Sequence, residues 1–308
     1  MTDKMKEVVE PCGVLIVNKH AGVTSHDVVN RVRRLYNTRR VGHTGTLDPM
    51  ATGVLLVLVG RAAKAAEYLV SDSKRYRAVM RLGLTTDSED ITGTVLSKTD
   101  MLPSADEVLR AASEFQGEIS QIPPMYSALK VGGQKLVDIA RKGGTIERQA
   151  RRITIHSLVC TPTQNPCDYI LDVHCSSGTY IRTLCADVGS KLGVGAVMAA
   201  LERVETGGFS IEQAYTVEQL NDMDSEALAK ILMPVETLFE TLPAVRMPSF
   251  YERLYRSGCE IYQQKIGTHF FVDQRLRVLD EHGNFFALGE VREYPEGSAI
   301  KSIKFFEL

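Results

Sequence analysis

GHTGTLDPMATG, residues 42–53, sets one carboxylate (Asp48), one imidazole (His43) and several hydroxyls among three glycines and a proline. Gly42, Gly45 and Gly53 can take positive φ or admit a neighbouring backbone, and Pro49 fixes the turn just after Asp48. The apolar run 54–59 follows at once, which places the loop at the mouth of a buried strand. Asp48 is therefore expected in a rigid frame. Ordinary turn chemistry accounts for the same residues taken alone, because Asp before Pro commonly starts a turn. The rest of the chain decides between the two.

Upstream, residues 13–17 read as a short apolar strand and 18–22 as a loop. Thr24 or Ser25 then caps a helix with Asp27 in its first turn and Val28, Val29, Val32, Leu35 and Tyr36 as its buried stripe. Downstream, Gly60 leads into an alanine-rich helix through Leu69. In residues 76–82, Tyr76, Ala78, Met80 and Leu82 share one strand face, which puts Tyr76 on the apolar side. Ser104 and Glu107 form a capping box that opens a helix through Phe115. A basic helix between Gly132-Gly133 and Gly143-Gly144 reads as a flap suited to clamping RNA. Residues 169–175 alternate as a strand, and Ser176-Ser177-Gly178 turns it into a helix ending near Gly189. Arg182 then falls in the first helical turn, where the macrodipole disfavours a cation, so an anionic partner is expected there. After an acidic helical segment, runs 270–272, 277–279, 285–289 and 300–305, with a turn at 281–284, predict a small β-rich module beyond Pro243.

A chain of 308 residues predicts two domains, or one large domain with an appendage. Hydrophobic content of 44% and charged content of 24% exclude a disordered or fibrous class. The six cysteines form no CxxC pair and read as reduced thiols. The leader MTDKMKEVVE lacks the apolar core of a signal peptide, and no apolar run approaches a membrane span, so a cytoplasmic protein is expected. Net charge is only −2, but it is segregated. Residues 19–40 hold six cations against one acid, residues 125–152 seven against two, and residues 205–240 one against eight. Two basic patches with glycine-rich neighbours suit a polyanion.

The motifs together resemble those of the bacterial tRNA pseudouridine synthases of the TruB family. The similarity runs through NKHAGVTS (18–25), GHTGTLDPMATGVL (42–55), GRAAK (60–64), KRYR (74–77), QIPPMYSALK (121–130) and CSSGTYIRTL (175–184). It implies an α+β pseudouridine synthase fold: a mixed, largely antiparallel central sheet flanked by helices, with a catalytic domain over 1–242, an RNA-clamping thumb at 125–152 and a PUA-like domain over 243–308. It further implies that Asp48 is the catalytic aspartate, that Tyr76 stacks on the target base and can serve as a base, and that Arg182 pairs with Asp48. His43 would help displace the target nucleotide, Tyr180 and Leu201 would line the pocket, and Lys19, Lys64 and Lys130 would support the site or contact RNA. The partner implied is the tRNA T-stem-loop, modified at uridine 55 by a monomer without cofactor or metal. The chain departs from the family pattern at His20, Ala63 and Val137.

The chemistry suits this inventory independently. Glycoside hydrolysis uses two carboxylates, whereas exchanging the N1–C1′ bond of uridine for C5–C1′ needs the uracil retained and water excluded, so one carboxylate suffices. Asp48 would attack C1′ or take the 2′ proton, and either route needs it ionised, which a neighbouring Arg182 favours. The uridine must also be flipped out of its loop. A non-catalytic RNA-binding or tRNA-folding protein would use the same basic patches without needing Asp48 and Arg182 together. A phosphate-loop enzyme is disfavoured because neither GxxxxGK[ST] nor a strand-borne GxGxxG is present. Scattered histidines without HExxH disfavour metal hydrolysis.

Overall fold

The computed structural model describes residues 10–69, 73–127 and 129–306; most of the polar leader lies outside them. Apolar runs near the N-terminus form the first pair of the central sheet, Gly13–Lys19 antiparallel to Thr52–Val59. The first strand thus runs two residues past the expected apolar stretch and carries Lys19 into the interior. Thr24 caps the helix Ser25–Leu35 through a reciprocal capping box with Asp27, and Val28, Val29, Val32 and Tyr36 are buried as their spacing predicts.

The sheet has ten strands in the described residues. Two strands at its heart had no counterpart in the sequence reading. Ala196–Thr206 lies between Thr52–Val59 and Ser73–Leu82, parallel to the first and antiparallel to the second. Arg151–Pro162 pairs antiparallel with both Asp168–Ser176 and Gly117–Gln121, so Arg151 and Arg152 lie within the sheet. The alternation of Ile153 and Ile155 with polar neighbours carries a strand signal. The run AVMAAL does not, because small residues fit a helix as well. Most pairings are antiparallel, two are parallel, and the sheet is mixed as the resemblance implies.

Tyr76, Ala78, Met80 and Leu82 face one core, packed under the helices Ala105–Ser113 and Ile181–Lys191. Other readings need correction. The alanine-rich segment Gly60–Glu67 is a 3₁₀ helix. The acidic stretch is broken into short strand segments, two 3₁₀ turns and two short helices, Val217–Asn221 and Ser225–Lys230, because Gly207-Gly208 takes positive φ and Thr216 and Asp224 each cap a new helix.

The C-terminal module is a five-stranded sheet with the helix Ser249–Arg256. Residues 270–272 are not one of its strands: the Phe270 amide and carbonyl are taken by the Gln263 side chain, and Phe271 is 78% exposed. The expected turn at 281–284 does join two strands, Arg275–Leu279 and Phe285–Tyr294. Leu288 and Phe306 of this module pack with Val14, Leu58 and Phe239, and Arg277 pairs with Glu236 at 2.7 Å.

Candidate active site

The 42–53 loop is fixed from below by three side chains, each from a different element, and by one backbone amide. Lys19, fully buried, donates to the carbonyls of His20, Val23 and Pro49 at 3.0, 2.8 and 3.3 Å. Burial lowers its pKa to about 8 despite the favourable charge of Asp48. The Ser25 hydroxyl both receives the Leu47 amide and donates to the Leu47 carbonyl. The Gly22 amide donates to Pro49. Arg203 donates to Val54 and Gly45 carbonyls at 2.7 and 3.1 Å, near the two ends of the loop.

The glycines divide by role. Gly53, at φ +100°, lies against the Arg203 backbone, where a Cβ would overlap the carbonyl oxygen. Gly42 instead sits in an ordinary extended strand, Val41–His43, where a Cβ would meet only Ala63 Cβ at an ordinary 3.9 Å, so the expected special conformation is not used there.

At the tip, Asp48 receives the guanidinium of Arg182 through two contacts, Nε to Oδ2 at 3.0 Å and Nη2 to Oδ1 at 3.3 Å. Arg182 is placed in the first turn of Ile181–Lys191, as the spacing predicts. It also donates to the carbonyls of Ser88 and Tyr126 and lies 4.0 Å from Asp90. Its side chain is 6% exposed, whereas 32% of that of Asp48 remains open. The carboxylate is thus the accessible half of the pair. Burial raises the pKa of Asp48, and Arg182 opposes that shift without cancelling it. The cation therefore favours ionisation as expected, but the low-dielectric setting outweighs it.

Asp48 opens onto a cavity of about 500 Å³ that also holds Tyr76, Tyr180, Arg182 and Leu201. Four cations line it, Lys74, Lys135, Arg182 and Arg203, against the single carboxylate. Tyr180 is positioned by the Gln121 amide, which binds both its backbone N–H and its carbonyl at 2.8 and 3.0 Å. Tyr76 is buried, and burial raises its pKa, with Arg203 opposing the shift.

The other expected residues lie outside the cavity lining. His43 accepts the Gly45 amide at Nδ1, at 3.3 Å, and burial lowers its pKa, so the neutral ring fits that bond. Lys64 and Lys130 are exposed, and Lys19 works beneath the loop. The basic flap contains a short hairpin and the helix Leu136–Ala140, anchored by a fully buried Leu136, and contributes Lys135 and Val137 to the cavity. Arg203, Lys74 and Gln121 were not legible as site residues; an arginine inside LERVET carries no local mark of burial. Among the described residues no His, Cys, Asp or Glu cluster could hold a metal, and no helix is long and apolar enough to cross a membrane.

A family model described as TruB family pseudouridylate synthase (N terminal domain) matches residues 33–181, and one for the tRNA pseudouridylate synthase B C-terminal domain matches residues 182–240. A chain in a crystal structure of a Cbf5-Nop10-Gar1 complex superposes with a TM-score of 0.72 at 25% identity, covering 96% of this chain and 85% of that one. The fold is that of a pseudouridylate synthase, an isomerase, with a PUA-like C-terminal module. Curated relatives named tRNA pseudouridine synthase B are similar over almost the full length. The one from Clostridium perfringens strain 13 is 40% identical over 90% of this chain and 94% of its own. That of Alkaliphilus oremlandii is 42% identical over 96% and 98%. The chain belongs to the TruB family.

Proposed function

We propose that this enzyme acts on tRNA and converts the T-loop uridine at position 55 to pseudouridine, with Asp48 as the essential carboxylate. The observation that carries the reading is the Asp48–Arg182 pair, whose carboxylate faces an electropositive cavity large enough for a flipped nucleotide. The relatives' shared name supports tRNA as the substrate.

The flipped base stacks on Tyr76, between Tyr180 and Leu201. Asp48, ionised, either attacks C1′ or withdraws the 2′ proton as the N1–C1′ bond breaks. Arg182 holds it in place and keeps it charged. The detached uracil turns over and C5 bonds to C1′. The C5 proton passes to the Tyr76 oxygen and N1 ends protonated, so the product is an isomer of the substrate. His43, two residues from Gly45, fills the space that the nucleotide leaves. Lys64, Lys130 and the flap 125–152 meet the RNA backbone. The catalytic domain spans 1–242 and the PUA-like RNA-binding domain 243–308, working as a monomer.

Release of tritium from a T-stem-loop transcript labelled at uridine C5 tests the reaction. Wild-type enzyme is expected to release it stoichiometrically and Asp48→Asn not at all, with RNA binding retained. Binding without release by the wild type would point to a non-catalytic RNA-binding protein instead.

A further inference from the structure

We infer that Arg203 is a positioning residue for the Tyr76 hydroxyl, tying the 42–53 loop to the phenol and fixing that phenol as the group that takes the C5 proton. This rests on the proposed role of Tyr76 and extends it to a residue that no motif marks.

The register makes the connection. Within Ala196–Thr206, Arg203 stands opposite Gly53 on one neighbouring strand and opposite Tyr76 on the other. One guanidinium can thus reach both halves of the site. Its Nε and Nη2 are committed to the Val54 and Gly45 carbonyls, and Arg203 and Tyr76, cross-strand neighbours, line the same cavity. The planar five-donor fork holds these two carbonyls and keeps donors for a third acceptor in the cavity, which an ammonium on a flexible stem does not.

The charge environment adds a second argument. Arg203 is 2% exposed, and among the described residues no carboxylate is recorded in an ion pair with it. A buried cation without an anion is costly. That cost is offset where negative charge develops, first on the departing uracil and then on the phenolic oxygen. Around Tyr76, burial first and then Cys175 and Asp48 disfavour the phenolate and the net shift is upward, with the charge of Arg203 opposing it. The resting group is the phenol; the fraction that has given its proton to solvent, favoured by the Arg203 charge, accepts the C5 proton and becomes the phenol again.

Single-turnover tritium release, measured from neutral to alkaline pH in Arg203→Gln, Tyr76→Phe and the double variant, tests this. Arg203→Gln is expected to lose on the order of 10–100-fold at neutral pH, less than the about 10²–10⁴-fold that a positioned base itself contributes. The loss should narrow as pH rises and the phenol ionises unaided, and Arg203→Gln should cost markedly less in the Tyr76→Phe background than alone, the remainder being its contacts to the loop. A loss that is the same at every pH, or undiminished in the Tyr76→Phe background, would mean that Arg203 serves the loop alone and overturns the inference. Arg203→Lys keeps the charge but loses the fork; it is expected to fall between the two, and it carries the same comparisons should Arg203→Gln not fold. A wild-type rate in Tyr76→Phe would remove the role of Tyr76 itself, an outcome distinct from additivity.

Discussion

Arg182 grips Asp48 through two guanidinium nitrogens, at 3.0 and 3.3 Å, while its own side chain is nearly sealed from solvent and that of the carboxylate is not. The cation is part of the scaffold and the anion is left reachable. Because burial raises the Asp48 pKa and Arg182 restrains it, protonation should silence the enzyme at a pH above the usual carboxylate range. Turnover should fall as pH drops through that value. In Arg182→Met the restraint is gone, and the acid limb of the single-turnover pH profile should move to higher pH. An unmoved limb would mean that another group controls it.

Tyr76 sits against Asp48 in the same cavity with its ring on the apolar side of the sheet. Tyr76→Phe keeps the ring and removes the hydroxyl. RNA affinity should stay near wild type, and product formation should slow by about 10²–10⁴-fold, the usual span for a positioned acid or base. Filter binding and single-turnover kinetics on the same RNA separate the two effects.

Lys19 spends its ammonium on three backbone carbonyls under the loop. Lys19→Met should cost about 1–3 kcal/mol in unfolding free energy, from buried acceptors left unpaired, and should reduce turnover as Pro49 loosens. The difference also depends on pH. With a folded pKa near 8 the native state binds fewer protons than the unfolded chain between there and the ordinary lysine range. Wild-type stability relative to Lys19→Met should therefore rise with pH across that window, and the burial penalty should stand in full below it. Urea denaturation at several pH values measures this.

Gly53 combines a left-handed φ with direct contact to the Arg203 backbone. Gly53→Ala should destabilise the protein by about 2–4 kcal/mol, from strain and overlap together. Gly42→Ala, in extended backbone where the added methyl meets Ala63 at ordinary contact distance, should be nearly neutral. Paired thermal melts of the two variants check the contrast.

Much of this site was legible one segment at a time. The Asp-Pro turn among glycines marked Asp48, the two-residue alternation put Tyr76 on the core side, and a cation in a first helical turn announced a partner for Arg182. The capped helix Ser25–Leu35 was equally plain, because capping and 3.6-residue periodicity are local properties.

What local pattern could not supply is adjacency. The strand Ala196–Thr206 opens on AVMAAL, small and apolar residues that fit a helix as well, so its own sequence does not declare it, and with it Arg203 stayed hidden. The net rise of the Asp48 pKa likewise depends on how deeply the whole fold buries the pair. By itself the sequence determined which residues carry charge, turn and periodicity, since these are fixed by side-chain chemistry within a few positions. Only the tertiary structure decided that Lys19, Ser25, Gln121 and Arg203 hold the site in shape, because hydrogen bonds to another element's backbone leave no trace in either partner's sequence.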